Sequence, residues 1–419
     1  MSSEMDQKEA QPTMPATHLS CRRCGRAQPL TGIGTCPACF APLDPVYDRE
    51  ELRRSATRER IEAGPSSLWR YAALLPVAPP ADDRLAPGLT PLVAAPRLAE
   101  ALGLNELWLK LDTANPTHSF KDRVVAVACA KAQELGLQTL ACSSTGNLAN
   151  AVAARAAAEG MEAVVFCPHD LEREKLVATA AYGARLYAVR GSYDDCSRLT
   201  VEISFELPWG FVNVGLRSYY AEGSKTVAFE IAEQLGWELP DVVVAPIASG
   251  SLISRVGRGF DEFLELGLVS GTRPRLVGGQ AEGCAPVAAA FADGGRVQPV
   301  RPRTIARSLA IGSPADGDKA VEAVRASGGA IYAVPETEVG VEMAALAAGT
   351  GVFGETAAGV TLGALRQAVE DGTVQASERV VLLVTGDGLK TPGPVADRFD
   401  PIEISPDADA LLAELGVEL

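Results

Sequence analysis

From about residue 105 of this 419-residue chain, short apolar runs alternate with Ala-rich stretches of helical character, and no other property limits the fold as sharply. The runs LWLKLD, QTLACSS, EAVVFCP and ARLYAVR read as strands, and SFKDRVVAVACAKAQELG, NLANAVAARAAAEG and LVATAAYG as helices. After Ser119, residues Phe120, Val124, Val127 and Ala128 share one face at the i, i+4, i+7, i+8 spacing of an amphipathic helix. DVVVAPI is a near-continuous apolar run, as a parallel strand covered on both faces requires, and RPRLVGG and RVVLLVTG are of the same kind. Strands and helices alternating over this length imply a doubly wound α/β architecture. No internal repeat interrupts it.

The N-terminal quarter is different. Residues 1–17 are polar and predict a disordered tail. Residues 18–45 hold four of the nine cysteines, as Cys21-x-x-Cys24 and Cys36-x-x-Cys39. Four thiolates so spaced can surround one ion tetrahedrally, and Gly25 allows the tight turn of a knuckle, so a structural zinc ribbon is expected. A ribbon without metal or a redox dithiol are the alternatives. Because protein would fill all four positions, no open coordination site would remain for catalysis. The other five, Cys129, Cys142, Cys167, Cys196 and Cys284, sit among small apolar residues and read as buried hydrophobes. An odd total with five dispersed members does not suit an oxidised framework.

Past the ribbon, DREELRRSATRERIEAG reads as a short exposed helix, and the Pro-rich LLPVAPPADDRLAPGLTP as an extended connector. The division expected is a linker and the start of a large domain over 46–112, a small α/β domain over 113–222, the large α/β domain over 223–400 and a tail over 401–419 ending in an acidic helix. Net charge is −15, which repels phosphate backbones and anionic headgroups, so nucleic acid and membrane surfaces are not expected partners. No apolar run approaches the roughly 20 residues of a bilayer span, and the first residues lack the basic and apolar regions of a secretory signal. A cytoplasmic protein is expected.

Chemistry concentrates in a few turns. Asn115-Pro116 stops a strand, Ser119 is expected to cap the next helix, and Lys121 then falls in its first turn. A cation there opposes the helix dipole, while Asp122 beside it is favoured. That placement suits an amine used as a nucleophile, although a surface lysine directed away from the dipole is the plainer alternative. QTLACSS runs through Ser143-Ser144-Thr145-Gly146-Asn147 into a helix, and DVVVAPI runs through Ala248-Ser249-Gly250-Ser251-Leu252 into another. Hydroxyls and backbone N–H groups at a helix start can cradle a carboxylate or phosphate. Any one of these could be a plain strand-to-helix turn. Three at the carboxyl ends of strands imply a shared crevice. The three histidines, His18, His118 and His169, form no catalytic triad by spacing.

SFKDR, SSTGN, the small-residue turn after DVVVAPI and VTGDGLK together resemble fold-type-II pyridoxal-phosphate enzymes, and within them the threonine synthase family, one branch of which carries an N-terminal zinc ribbon. The likeness runs from about residue 20 to about residue 400. It implies two doubly wound parallel-sheet domains of the tryptophan-synthase-β-like type beside the ribbon, and commonly a homodimer. It implies that Lys121 bonds pyridoxal 5'-phosphate covalently and later moves protons, and that Asn147 hydrogen-bonds the cofactor's ring hydroxyl. Ser144, Thr145 and Gly146 would hold the substrate carboxylate, the N–H groups of Ala248, Ser249, Gly250, Ser251 and Leu252 the cofactor phosphate, and Thr385 the pyridine nitrogen. The implied reaction converts O-phospho-L-homoserine and water to L-threonine and phosphate, the last step of threonine biosynthesis. A serine or threonine dehydratase-like lyase of the same fold is the alternative, and a cofactor-free zinc-ribbon scaffold a more distant one.

Three positions depart from the family pattern. His118 stands where many relatives have Gly, and the phosphate turn is ASGSL. Tyr220, in LRSYYAEG, occupies the usual place of an arginine that meets the substrate phosphate. Arg217 is the expected substitute for that charge, with Lys225 and Arg307 as further candidates.

Overall fold

The computed structural model describes residues 16–144, 146–171 and 173–415. Three strands open the chain: β1 (Ala16–Cys21), β2 (Ala27–Gln28) and β3 (Leu43–Tyr47), in an antiparallel sheet of order β2-β1-β3. The ribbon therefore starts at Ala16, and of the tail expected over 1–17 the first fifteen residues lie outside the described chain. The charged stretch after it folds as two short helices, Arg49–Ser55 and Arg58–Glu62, because Leu52 and Ile61 give each an apolar residue to bury. The Pro-rich connector is more than a drape, since Leu74, Leu75 and Val77 are buried.

Two parallel sheets make up the rest. β4 (Leu92–Ala94) and β5 (Glu106–Leu111) come first, then β6 (Thr139–Ser143), β7 (Glu162–Pro168), β8 (Arg185–Val189) and β9 (Gly210–Phe211). β10 (Val242–Pro246), β11 (Arg275–Ala281), β12 (Ala330–Val334) and β13 (Arg379–Val384) follow. The smaller sheet has the order β8-β7-β6-β9 and the larger β12-β11-β10-β13-β5-β4. Every pairing in them is parallel except that of the edge strand β4 with β5.

Side-chain alternation explains why these strands read as unbroken apolar runs. Val243 and Ala245 of β10, with Val381 and Leu383 of β13, enter one hydrophobic core, while Val242, Val244, Val380, Leu382 and Val384 enter another on the opposite face. The helix Ser251–Leu266 supplies Ile253, Val256 and Phe260 to the first core, and the helix Thr356–Glu370 supplies Leu362, Leu365 and Ala368 to the second. β6 is split the same way, with Leu140 and Cys142 on one side and Ala141 on the other.

Beneath the large sheet's carboxyl edge lies a fully enclosed charge cluster. Arg123 bonds Asp112 and Glu230, Lys110 reaches Glu230 at 2.6 Å, and Thr90 Oγ donates to Asp112 at 2.9 Å. Burial pushes the Glu230 carboxyl up, but Arg123 and Lys110 outweigh it and hold it at about 2. Every charge there has a partner, as buried ions require. The cluster fixes the chain on either side of the loop that carries Lys121.

Candidate active site

Loops from the carboxyl ends of β5, β6, β10 and β13 face one cavity of about 1360 Å³. Lys121 is the first residue of the helix Lys121–Glu134, as its spacing led us to expect. Ser119 does not cap that helix. The preceding residue is Phe120, no side chain caps it, and the Ser119 hydroxyl is buried with no partner among the described residues. Asp122 ties the loop down instead, accepting from the N–H of Thr117 at 2.9 Å and from its hydroxyl at 3.0 Å. Burial raises the Asp122 carboxyl against the pull of those bonds.

The lysine loop is stitched to the segment after β13. Phe120 N–H donates to Thr385 O at 2.9 Å, and Asp387 N–H to His118 O at 3.1 Å. Thr385 and Lys121, 264 residues apart in number, are thereby held at one edge of the cavity. His118 sits in this loop at φ 58°, in the left-handed region that glycine adopts most easily. Lys121 Nζ donates to Tyr220 Oη at 3.0 Å and lies 5.2 Å from the centre of the Phe120 ring.

The turn after β6 opens a helix and is braced by its own serine. Ser144 Oγ accepts from the N–H groups of Gly146 and Ala149, each at 3.2 Å, which orders the turn and leaves its hydroxyl hydrogen free to donate. Thr145 lies outside the described residues. Asn147 opens the helix Asn147–Glu159 and lines the cavity.

After β10, Ala248, Ser249, Gly250, Ser251 and Leu252 all line the cavity before the helix Ser251–Leu266. Gly250 has φ 89°, and a Cβ there would stand 2.4 Å from the Asp316 carbonyl oxygen, so only glycine fits. Asp316 N–H donates to Ser249 O at 2.8 Å, supporting the turn from behind.

That support settles the position of Arg217. Its guanidinium pairs with Asp316 at 2.5 Å, and Arg22 of the first cysteine knuckle pairs with the other oxygen at 2.5 Å. Burial pushes the Asp316 carboxyl up, but Arg217 and Arg22 outweigh it and hold it below the usual carboxylate range. Arg217 is not among the residues that line the cavity, and its charge is paired with an acid behind the turn. Lys225 is also absent from the lining, being fully buried between Glu222 at 2.6 Å and Glu262 at 3.0 Å. Arg307 does line it, as do Lys175, Arg301 and Lys390.

Sequence reasoning missed Glu355. It precedes the helix Thr356–Glu370, is buried, and accepts from Asn147 Nδ2 at 2.9 Å. Burial raises its carboxyl despite the Asn147 bond and the charges of Lys390 and Lys121. Burial lowers Lys390, against the pull of Glu355, Asp122 and Asp387. The signal available was an acid directly before the apolar helix TAAGVTLGAL, at a place where acids favour the dipole. Lys390 closes VTGDGLK, a motif noticed for its Thr.

The four cysteines meet on one side of the ribbon. Their Sγ atoms lie within 4.8 Å of one another, with Cys21 and Cys39 3.4 Å apart, Cys24 and Cys36 3.8 Å, and Cys24 and Cys39 3.7 Å. Thiolates about 2.3 Å from a tetrahedral zinc would stand about 3.8 Å apart. Gly25 turns the first knuckle at φ 68°, and Phe40 turns the second at φ 57°.

The family described as "Pyridoxal-phosphate dependent enzyme" matches residues 83–386. A threonine synthase of Methanocaldococcus jannaschii is 34% identical over 93% of this chain and 97% of its own length. One from Methanosarcina acetivorans is 35% identical over 94% and 97%. Among solved structures, maize serine racemase superposes with a TM-score of 0.62 at 20% identity, over 81% of this chain and 95% of the racemase.

Proposed function

The chain belongs to the pyridoxal-phosphate-dependent enzymes and, within them, to the threonine synthase family, and from that premise we propose that it converts O-phospho-L-homoserine and water to L-threonine and phosphate. The observation that carries this reading is one cavity holding a lysine amine and two separate helix-start turns able to receive anions.

The residues present fit the cofactor. The Ser224, Ser251, Ser308 and Thr391 hydroxyls line the cavity and are buried without a partner among the described residues, and Gly250 keeps the turn after β10 free of a Cβ. In our reading, Lys121 bonds the cofactor, the N–H groups of Ala248 to Leu252 hold its phosphate, Asn147 faces its ring hydroxyl and Thr385 its ring nitrogen. When bound, the cofactor supplies an electron sink that acidifies the bonds at the substrate's α carbon.

Lys121 Nζ then acts as the base at Cα and as the carrier that returns a proton to carbon. Tyr220 Oη, 3.0 Å away, holds that amine over the cavity. Ser144 and Gly146 receive the substrate carboxylate. Arg307 and Arg301, which both line the cavity, supply the charge for the γ-phosphate. Thr385 is neutral, so it would not hold a proton on the ring nitrogen as a carboxylate would. The four thiolates take one structural zinc, supported by their separations. A cytoplasmic homodimer is proposed on the family resemblance alone.

The test is phosphate release from O-phospho-L-homoserine by the pyridoxal-phosphate-loaded protein, with threonine quantified in parallel. Equal amounts of the two products are expected. A loaded protein that leaves this substrate intact and instead deaminates L-threonine or L-serine would overturn the reading in favour of a dehydratase.

A further inference from the structure

Asn147 is gripped at both ends of its amide by groups from distant parts of the chain. Its Nδ2 donates to Glu355 Oε1 at 2.9 Å, and its Oδ1 accepts from Lys390 Nζ at 2.9 Å, across 208 and 243 residues of sequence. The two ends of an amide differ only in that one donates and the other accepts. A carboxylate can only accept and an ammonium can only donate. A flipped amide would set oxygen against oxygen and N–H against N–H. With Glu355 ionised and Lys390 protonated, the pair of partners permits one orientation.

We propose that Glu355 and Lys390 are positioning residues that lock the Asn147 amide, so that the second Nδ2 hydrogen stays available to donate into the cavity; the inference rests on the cofactor reading above.

The surroundings hold both clamps in place. The Glu355 carboxylate lies over Gly386, where a Cβ would stand 2.2 Å from Oε1, so any larger residue would evict it. Glu355 N–H donates to Gly386 O at 2.9 Å, fixing the acid to the segment that carries Lys390. Gly388 N–H donates to Phe353 O at 2.9 Å, and its position packs against the Phe353 ring, where a Cβ would come within 2.5 Å. The two glycines of VTGDGLK thus let the strand end close onto Glu355 and bring Lys390 to the far side of Asn147. Neither clamp needs to touch the substrate. Their proposed effect passes through the amide.

The experiment measures the holoenzyme's visible absorption band, its titration with pH, and the dissociation constant for pyridoxal phosphate. A donor facing the cofactor's ring oxygen shifts that titration, and a merely structural residue would not. Asn147→Ala is expected to move the midpoint and weaken cofactor binding on the order of tenfold, the worth of one hydrogen bond to a charged group. Glu355→Ala is expected to reproduce both changes, and the double variant to add nothing further, because the two act as one unit. Glu355→Gln, which can still offer an oxygen to Nδ2, is expected to restore most of the wild-type midpoint. A Glu355→Ala band that titrates like wild type, or a double variant whose shifts add, would overturn the inference alone. A wild-type protein that shows no band with pyridoxal phosphate would overturn the cofactor reading, and this inference with it.

Discussion

The cysteine cluster and the cleft gather polar side chains to very different depths of the fold. The cluster draws four ligands from Cys21 to Cys39, two knuckles close together in sequence. The cleft draws Lys121, Asn147, Ser251, Glu355 and Lys390 to one space only after two sheets have formed. A local site is set by spacing; a distributed one is set by topology. The two meet at Asp316, which Arg22 of the ribbon and Arg217 hold behind the turn after β10.

The largest effect should come from the cleft. Lys121→Ala is expected to remove the cofactor's visible band and to lower turnover about 10³-fold or more, through loss of both the covalent anchor and the base. Bound metal, measured on the same sample, should be unchanged. A variant that keeps the band would remove Lys121 from the anchor role and break the contrast at its centre.

The second test separates two arginines that the sequence left side by side as candidates. Arg307→Ala is expected to raise KM for O-phospho-L-homoserine by about 10- to 100-fold, the loss of one charge-assisted contact, with cofactor affinity little changed. Arg217→Ala should do the reverse: KM moves little, while thermal stability falls and cofactor affinity weakens several-fold as Asp316 loses a partner. The pH dependence follows from the same pair. The Asp316 carboxyl is held low in the folded protein, so its contribution is present above its unfolded value, near 3.8, and is lost as pH falls through the lower folded one. Arg217→Ala should therefore narrow the stability difference from wild type as the pH is taken below about 4 in that window. Equal changes in KM for both variants would place Arg217 in the cleft after all.

A third test cuts the ribbon itself. Cys36→Ser is expected to abolish metal binding and expose residues 16–47 to proteolysis, because two of the apolar residues that join the small β1–β3 sheet to the main core, Cys21 and Cys36, are themselves ligands. Turnover should fall less than about tenfold, since the residues of the cleft itself are untouched and the contacts weakened, Arg22 with Asp316, Asp44 with Arg255 and Tyr47 with Glu222, lie behind it. A loss as deep as that of Lys121→Ala would show that the ribbon is part of the catalytic fold rather than a staple beside it.

How much was legible follows the same division. Strands β5, β6, β7, β10, β11 and β13 were plain from their apolar runs, because strands covered on both faces have no polar alternation to confuse, whereas β8 was found from ARLYAVR although it is an exposed edge strand. β12 was not, since AIYAV leaves Tyr332 and Ala333 partly outside the cores, and three-residue β4 hides behind the Pro-rich connector. Lys121 and the three turns could be found because each is a local strand-to-helix event. The partners of those turns could not. Nothing near Asn147 points to Glu355, and nothing near Arg217 shows that Asp316 will neutralise it; only the closed sheet brings such groups together.

The smallest effect tests the strain in the loop that carries Lys121. His118 holds φ 58°, a conformation that costs a side-chain-bearing residue roughly 1 kcal/mol or more. Glycine would remove that strain, but it adds conformational freedom to the unfolded chain worth about 0.5–1 kcal/mol. The two terms oppose each other, so His118→Gly should change stability by no more than about 1 kcal/mol in either direction. His118→Ala is the sharper comparison, because alanine keeps the strain and lacks the imidazole's 3.3 Å contact with Thr113 O. Urea unfolding should rank glycine above alanine. The imidazole faces the cavity without being buried, so turnover of both variants should stay within about twofold of wild type, as for a surface substitution. Alanine ranking above glycine would mean that residue 118 leaves the left-handed region in solution, and that the lysine loop, unlike the cysteine knuckles, is not fixed by its own backbone.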